Sequence, residues 1–297
     1  MDTLLELEKE QRLSYEVLDE TFYKNCRNEI TEKRLAELSS LAEELGEREI
    51  YGDYSSPSDY LKALKITLGS TMETRHRSFF LLKKVLPSIK SKINFLDVGP
   101  GDGKITRWVG KNFDQVTAID TNQLVINTLP QKMVGRIKFT GLTGSILSAP
   151  LENNLYDLSL LSHTLYYIEN AKWLDAIHKI YKATKSGGII TIILGGDTFG
   201  KAELMKYFGG SAPDIDWLFQ KCRQLFRQDK VLGFCTKEAF VTKNILEMLH
   251  ISGFMLYDAG VTASKKMLME YINKHFKLKD NGFCMTTQQK FILIYKS

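Results

Sequence analysis

The segment Phe95-Leu-Asp-Val-Gly-Pro-Gly-Asp-Gly-Lys104 decides how the rest of the chain is read. An apolar run meets three glycines at alternate positions, and residues 105–112 follow with helical spacing: strand, tight turn, helix. Glycines at 99, 101 and 103 remove the Cβ atoms that would hold a ligand off the backbone, and they allow the positive φ angles such a turn requires. The spacing is selective. A dinucleotide turn, GxGxxG, needs glycine where Lys104 stands, and no GxxxxGK[ST] occurs, so NAD and ATP are disfavoured.

Outward from this turn, short apolar runs (NFLDV, VTAID, IKFTG, DLSLLS, GGIITIIL) alternate with stretches of helical length. This pattern predicts an α/β fold, a doubly wound, mostly parallel seven-stranded sheet, with its last two strands at residues 254–260 and 290–296. Helices are predicted over 202–207, 217–226 and 240–251. Upstream, residues 60–68 and 72–86 read as a helix pair ended by Pro87, and 51–59 as a linker with Ser58 or Asp59 capping the next helix. Residues 1–50 hold fourteen acidic and seven basic side chains. Leu4, Leu7, Val17, Leu18, Leu35, Leu38, Leu41, Ala42 and Leu45 recur there at helical spacing, predicting two amphipathic helices. Three units result: an acidic helical extension (1–50), a helical substrate-side cap (51–92) and a nucleoside-binding domain (93–297).

Composition bounds the function. With 43% hydrophobic and 25% charged residues the chain is globular, and 40 Lys+Arg against 35 Asp+Glu give only +5, too little to imply a nucleic-acid partner. Cys26, Cys222, Cys235 and Cys284 form no CxxC pair, so neither a disulfide framework nor a metal site is expected. The opening residues lack the basic start and apolar core of a signal peptide, and no apolar run nears the ~20 residues that span a bilayer. The expectation is a cytoplasmic protein without a membrane partner, either a monomer or a homodimer.

Asp120 closes the run VTAID seventeen residues after Gly103, where a carboxylate can accept both hydroxyls of a ribose. Gly144 and Ser145 follow the third strand. Ser162, His163, Tyr166 and Tyr167 follow the fourth, at the sheet edge where ligands of open α/β folds lie. The observed (D)xGxGxG turn resembles that of class I S-adenosylmethionine-dependent methyltransferases over residues 93–297. That resemblance implies S-adenosylmethionine as cofactor, S-adenosylhomocysteine as product, and a donor site of Gly99, Pro100, Gly101, Gly103, Asp120, Thr121, Gly144, Ser145 and Ser162.

Over residues 55–297 the chain further resembles the histamine N-methyltransferase family, through residues 70–87 (STMETRHRSFFLLKKVLP) and Leu165-Tyr166-Tyr167. The resemblance implies an acceptor pocket of Tyr60, Glu73, His163, Tyr166, Tyr167 and Thr286, with Glu73 contacting an amine or imidazole. His163, Leu64, Leu204 and Thr286 stand where that family has glutamine, phenylalanine, tryptophan and asparagine, which points to a different acceptor. In this reading Glu73 and His163 are catalytic: Glu73 orients a small-molecule nitrogen and His163 takes its proton. A protein or nucleic-acid methyltransferase and a non-catalytic donor-binding protein remain the alternatives.

Overall fold

The computed structural model describes residues 15–26, 30–133, 137–279 and 281–297. In chain order the elements are β1 (Glu16–Leu18), α1 (Glu20–Tyr23), α2 (Glu32–Leu45), β2 (Ile50–Tyr51), α3 (Pro57–Gly69), α4 (Glu73–Phe80), β3 (Asn94–Val98), α5 (Lys104–Gly110), β4 (Gln115–Asp120), α6 (Gln123–Lys132), β5 (Lys138–Thr143), β6 (Tyr156–Ser162), α7 (Trp173–Ala183), β7 (Thr184–Gly195), α8 (Phe199–Tyr207), α9 (Ile215–Leu225), β8 (Lys230–Thr242), α10 (Ile245–Asp258), β9 (Ala263–Ser264), α11 (Lys265–His275) and β10 (Phe283–Tyr295). The main sheet runs β1-β8-β10-β7-β6-β3-β4-β5, and only β10 is antiparallel to its neighbours. Strand order reverses at β3: the chain leaves it for β4 and β5, then returns to β6 on the other side. Ligands of open α/β sheets lie beyond the carboxyl ends of the strands at that reversal.

β3 is buried along its whole length, as a central strand covered on both faces must be. One face is covered by Trp173, Ile177 and Ile180 of α7 with Leu218 and Phe219 of α9, the other by Phe80 of α4 with Ile105 and Val109 of α5. A third apolar cluster, including Ala42, Ala63, Ile66, Met248, Phe254 and Ile272, ties α2, α3, α10 and α11 into a helical layer. That layer carries Tyr60 and Asp258 to Tyr167, just past the end of β6.

Four expectations are corrected. Residues 254–260 are not a strand: they end α10 and the turn after it, and the strand beside β10 is β8, in the segment that includes Phe240. α10 is apolar almost all round because it is buried almost throughout, so its sequence lacks the polar face that marks a surface helix. Val17 and Leu18 belong to β1, which pairs in parallel with β8 and makes the sheet eight-stranded; the expected helix around Leu4 and Leu7 lies outside the described residues. The 51–59 linker is anchored, with Tyr51 and Tyr54 buried and Ile50–Tyr51 paired to Ala263–Ser264. α3 begins with Pro57 in its first turn after Ser56, not after Ser58 or Asp59.

Candidate active site

Gly99, Gly101 and Gly103 all have positive φ (73°, 56° and 74°), yet they serve different ends. A Cβ at Gly99 would stand 2.3 Å from Thr164 Oγ1, and one at Gly103 2.4 Å from Leu129 Cδ2. A Cβ at Gly101 would meet nothing within 4 Å: this glycine faces open space. The turn is held from below. Thr164 Oγ1 donates to Val98 O at 2.6 Å, and Gly99 N donates to Ile119 O at 2.8 Å. Asp97, 2% exposed, accepts from Thr106 Oγ1 at 2.7 Å, and burial pushes its carboxyl up to about 7. Pro100 is buried behind the turn.

Asp120 sits at the carboxyl end of β4 with Oδ1 accepting from Asn122 N at 2.8 Å, which fixes the carboxylate at the rim of the cleft. Burial raises its pKa, opposed by the backbone amides of Asn122 and Gly101. Thr121 beside it is exposed. Gly144 N donates to Asp120 O, so the β5 turn is tied to the β4 end, and Ser145 Oγ accepts from Leu147 N at 3.2 Å, leaving its hydroxyl hydrogen to donate. Ser162 Oγ, at the end of β6, accepts from Arg77 at 3.0 Å.

Past β6 the side chains form a second group. Glu73 and Arg77, one turn apart on α4, are 6% and 5% exposed; Arg77 also donates to Thr74 Oγ1 at 3.0 Å. Burial raises the Glu73 carboxyl toward its neutral form, opposed by the cations of Lys201 and Arg77. His163 has φ 57° and its Nδ1 lies 3.3 Å from Tyr166 Oη, while Nε2 is buried without a partner. Burial, then the charges of Arg77 and Lys201, hold the imidazole well below its ordinary pKa, so it is neutral. Tyr60 and Tyr167 meet hydroxyl to hydroxyl at 3.3 Å, and Tyr167 donates to Asp258 Oδ1 at 3.2 Å. Burial pushes the Asp258 carboxyl up to about 6. Thr286 is exposed and its hydroxyl accepts from Gly200 N; on β10 it is Gln289, 0% exposed, that lies beside His163.

Residues 96–192, about a third of the chain, match the methyltransferase domain family. Residues 96–192 are a methyltransferase domain. No curated protein matches the chain. A Bacillus halodurans protein assigned as a methyltransferase has the same fold, with TM-score 0.53 and 12% identity over 81% of this chain and 100% of that one. The YcgJ protein of Bacillus subtilis gives TM-score 0.52 and 12% identity over 75% and 99%.

The family match of residues 96–192 and the sheet around them are those of a methyltransferase fold. The cleft above the glycine turn has room for a nucleoside such as that of S-adenosylmethionine: a Cβ at Gly101 would meet nothing within 4 Å, and the Asp120 carboxylate lies beside the Gly101 amide. Among the described residues no helix is long and apolar enough to cross a membrane, and no cluster of His, Cys, Asp and Glu could hold a metal ion. Arg77, Lys201, Asp258 and Gln289 escaped the sequence reading. For Arg77 a signal existed, since Glu73 and Arg77 are spaced i,i+4 and share a helix face. Asp258 was concealed in an expected strand, and neither Lys201 nor Gln289 belongs to a motif.

Proposed function

We propose that this methyltransferase acts on a small-molecule nitrogen, an amine or an imidazole-like ring, as in the family that residues 70–87 resemble. The observation that carries this reading is a pair of partly or wholly buried carboxylates, Glu73 and Asp258, among Tyr60, Tyr166 and Tyr167 beyond the glycine turn. An aromatic enclosure with acidic groups suits a small cation-forming ligand and has no run of basic residues for a polyanion.

Bound S-adenosylmethionine supplies an electrophilic methyl group on a sulfonium. Gly99, Pro100, Gly101 and Gly103 would let the backbone approach it, Asp120 would accept from its ribose hydroxyls, and Gly144, Ser145 and the rim residue Thr121 would hold its base. Ser162, held by Arg77, borders the donor and acceptor sides. On the acceptor side Glu73 orients the nitrogen, and alignment of its lone pair at ~3–3.5 Å from the carbon is the main source of rate. An ammonium must lose a proton before it can attack. Asp258, at about 6, and Glu73, raised by burial, titrate closer to neutrality than ordinary carboxylates and can accept that proton. His163 is too weakly basic to compete. Its unpaired Nε2 instead accepts a hydrogen bond from the acceptor, which assigns it a positioning role.

The test incubates the protein with methyl-labelled donor and a panel of amines, imidazoles and phenols. Glu73→Gln is expected to lower kcat/KM for the labelled amine at least tenfold while S-adenosylhomocysteine affinity stays within twofold. Transfer to phenols alone, or a Glu73→Gln protein as active as wild type, defeats the nitrogen reading.

A further inference from the structure

Two lysines lie buried near the carboxyl edge of the sheet, and they are treated in opposite ways. Lys290 on β10, 6% exposed, is braced by Asp197 Oδ1 at 3.0 Å and Asp216 Oδ1 at 2.8 Å. This is the usual structural solution, because an ammonium removed from water needs paired charge and hydrogen-bond acceptors. Lys201 on the first turn of α8 is 8% exposed; among the described residues it makes no ion pair and no hydrogen bond, and its ammonium still touches solvent. Its Nζ lies 5.7 Å from the centre of the Tyr166 ring, and a Cβ at Gly195 would stand 3.2 Å from it. The ammonium therefore rests at the carboxyl end of β7, on the same edge as His163 and Tyr166.

The neighbouring polar groups are also unfilled. Gln289 pairs in register with Gly195 and is fully buried; its amide lies within hydrogen-bonding range of the His163 side chain, but neither end of the amide nor His163 Nε2 makes a hydrogen bond of ordinary geometry. Two buried side chains this poorly satisfied are costly unless a ligand completes them.

We propose that Lys201 is the docking point for a carboxylate carried by the methyl acceptor, so that the acceptor is an amino-acid-like zwitterion and not a plain amine. This rests on the small-molecule nitrogen reading: Glu73 and Asp258 receive the nitrogen end, and Lys201 with the Gln289 amide receives the anionic end. A carboxylate fits better than a phosphate because a single ammonium that already faces Glu73 and Asp258 balances at most one further negative charge, whereas a phosphate monoester brings about −1.5 to −2. Arg77 is less available than Lys201, because its terminal nitrogens already donate to Ser162 and Thr74, leaving only its buried Nε without a partner. The donor has a carboxylate of its own, for which Arg77 is the nearer cation: it is linked to Ser162 and coupled first to Glu73 and then to Asp102 in the glycine turn. Lys201, by contrast, acts on Glu73 and Asp258, away from the turn.

The test compares full-length wild type with Lys201→Met, a change of similar length that suits a buried position. Calorimetry is run first with S-adenosylhomocysteine, then with propionate titrated into the S-adenosylhomocysteine-loaded protein. Equal S-adenosylhomocysteine affinity in both proteins is expected, with propionate bound by wild type and at least tenfold more weakly by Lys201→Met. Propionate binding that is absent from wild type or equal in the two proteins overturns the proposal. So does a tenfold loss of S-adenosylhomocysteine affinity in Lys201→Met, which would assign the lysine to the donor. The labelled-donor panel separates the two readings: amines labelled without propionate binding leave nitrogen methylation standing and remove the anion site, while propionate binding without any labelled nitrogen does the reverse.

Discussion

Replacing each glycine of the turn by alanine separates the cost of backbone strain from the cost of filling the cleft. All three positions have φ between 56° and 74°, so each alanine carries roughly 1–2 kcal/mol of left-handed strain. At Gly101 nothing else is added, since its Cβ meets no atom within 4 Å. Part of that strain is offset by the smaller entropy of the unfolded chain, leaving a loss of about 1 kcal/mol and a melting temperature about 2–4 °C lower. At Gly103 the Cβ must also displace fully buried Leu129 from 2.4 Å, adding roughly 1–3 kcal/mol of overpacking. At Gly99 it collides at 2.3 Å with the Thr164 hydroxyl that holds Val98 O. Stability without ligand should therefore fall least for Gly101→Ala. Donor affinity should fall most for Gly101→Ala, by at least tenfold, because only that methyl group projects into open space. Thermal unfolding gives the first ranking and calorimetry with S-adenosylhomocysteine the second. A Gly101→Ala protein that binds S-adenosylhomocysteine within twofold of wild type refutes the placement of the donor over this turn.

Asp120→Ala removes the charged acceptor proposed for the ribose hydroxyls and should weaken S-adenosylhomocysteine at least tenfold, about 1.4 kcal/mol, in the same calorimetric assay; unchanged affinity removes Asp120 from the donor site. His250 in α10 is fully buried, with Tyr54 Oη 3.0 Å from Nδ1 and Nε2 3.0 Å from Gly46 O, and burial lowers its pKa to about 4. Its folded pKa lies below the unfolded ~6.5, so the stability it contributes is present above pH 6.5 and is lost as pH falls toward 4, on the order of 3 kcal/mol in all. His163 is shifted in the same direction and adds to the acid sensitivity. Histidine NMR should show the His250 ring still neutral at pH 5.5, and a midpoint near 6.5 would contradict that burial.

The glycine turn and Asp120 were readable without coordinates because their constraints are local. A glycine at positive φ and a carboxylate on the last residue of a strand are fixed by a few neighbouring bonds, and spacing in the chain records them. The sheet around them was legible as far as its strands are short, apolar and parallel. It failed for β8, whose Gly233, Lys237 and Glu238 break the apolar pattern, and for α10, whose uniform apolarity removed the helical period. β1 was lost because three residues acquire strand character only by pairing with β8, some two hundred residues later.

The sequence by itself thus determined the frame of the proposed donor side: the turn, the strand it leaves and the acid on the next strand, all within one βαβ unit where order along the chain is order in space. The resemblance named Glu73 and His163, but only the tertiary structure decided which side chains join them on the proposed acceptor side. Glu73 comes from α4, Asp258 from α10, Lys201 from α8, Gln289 from β10 and His163 from the end of β6, five segments that no local rule brings together. Their charge states were decided there too, since burial and neighbouring charge, which raise Glu73 and Asp258 and lower His163, exist only once the chain has folded.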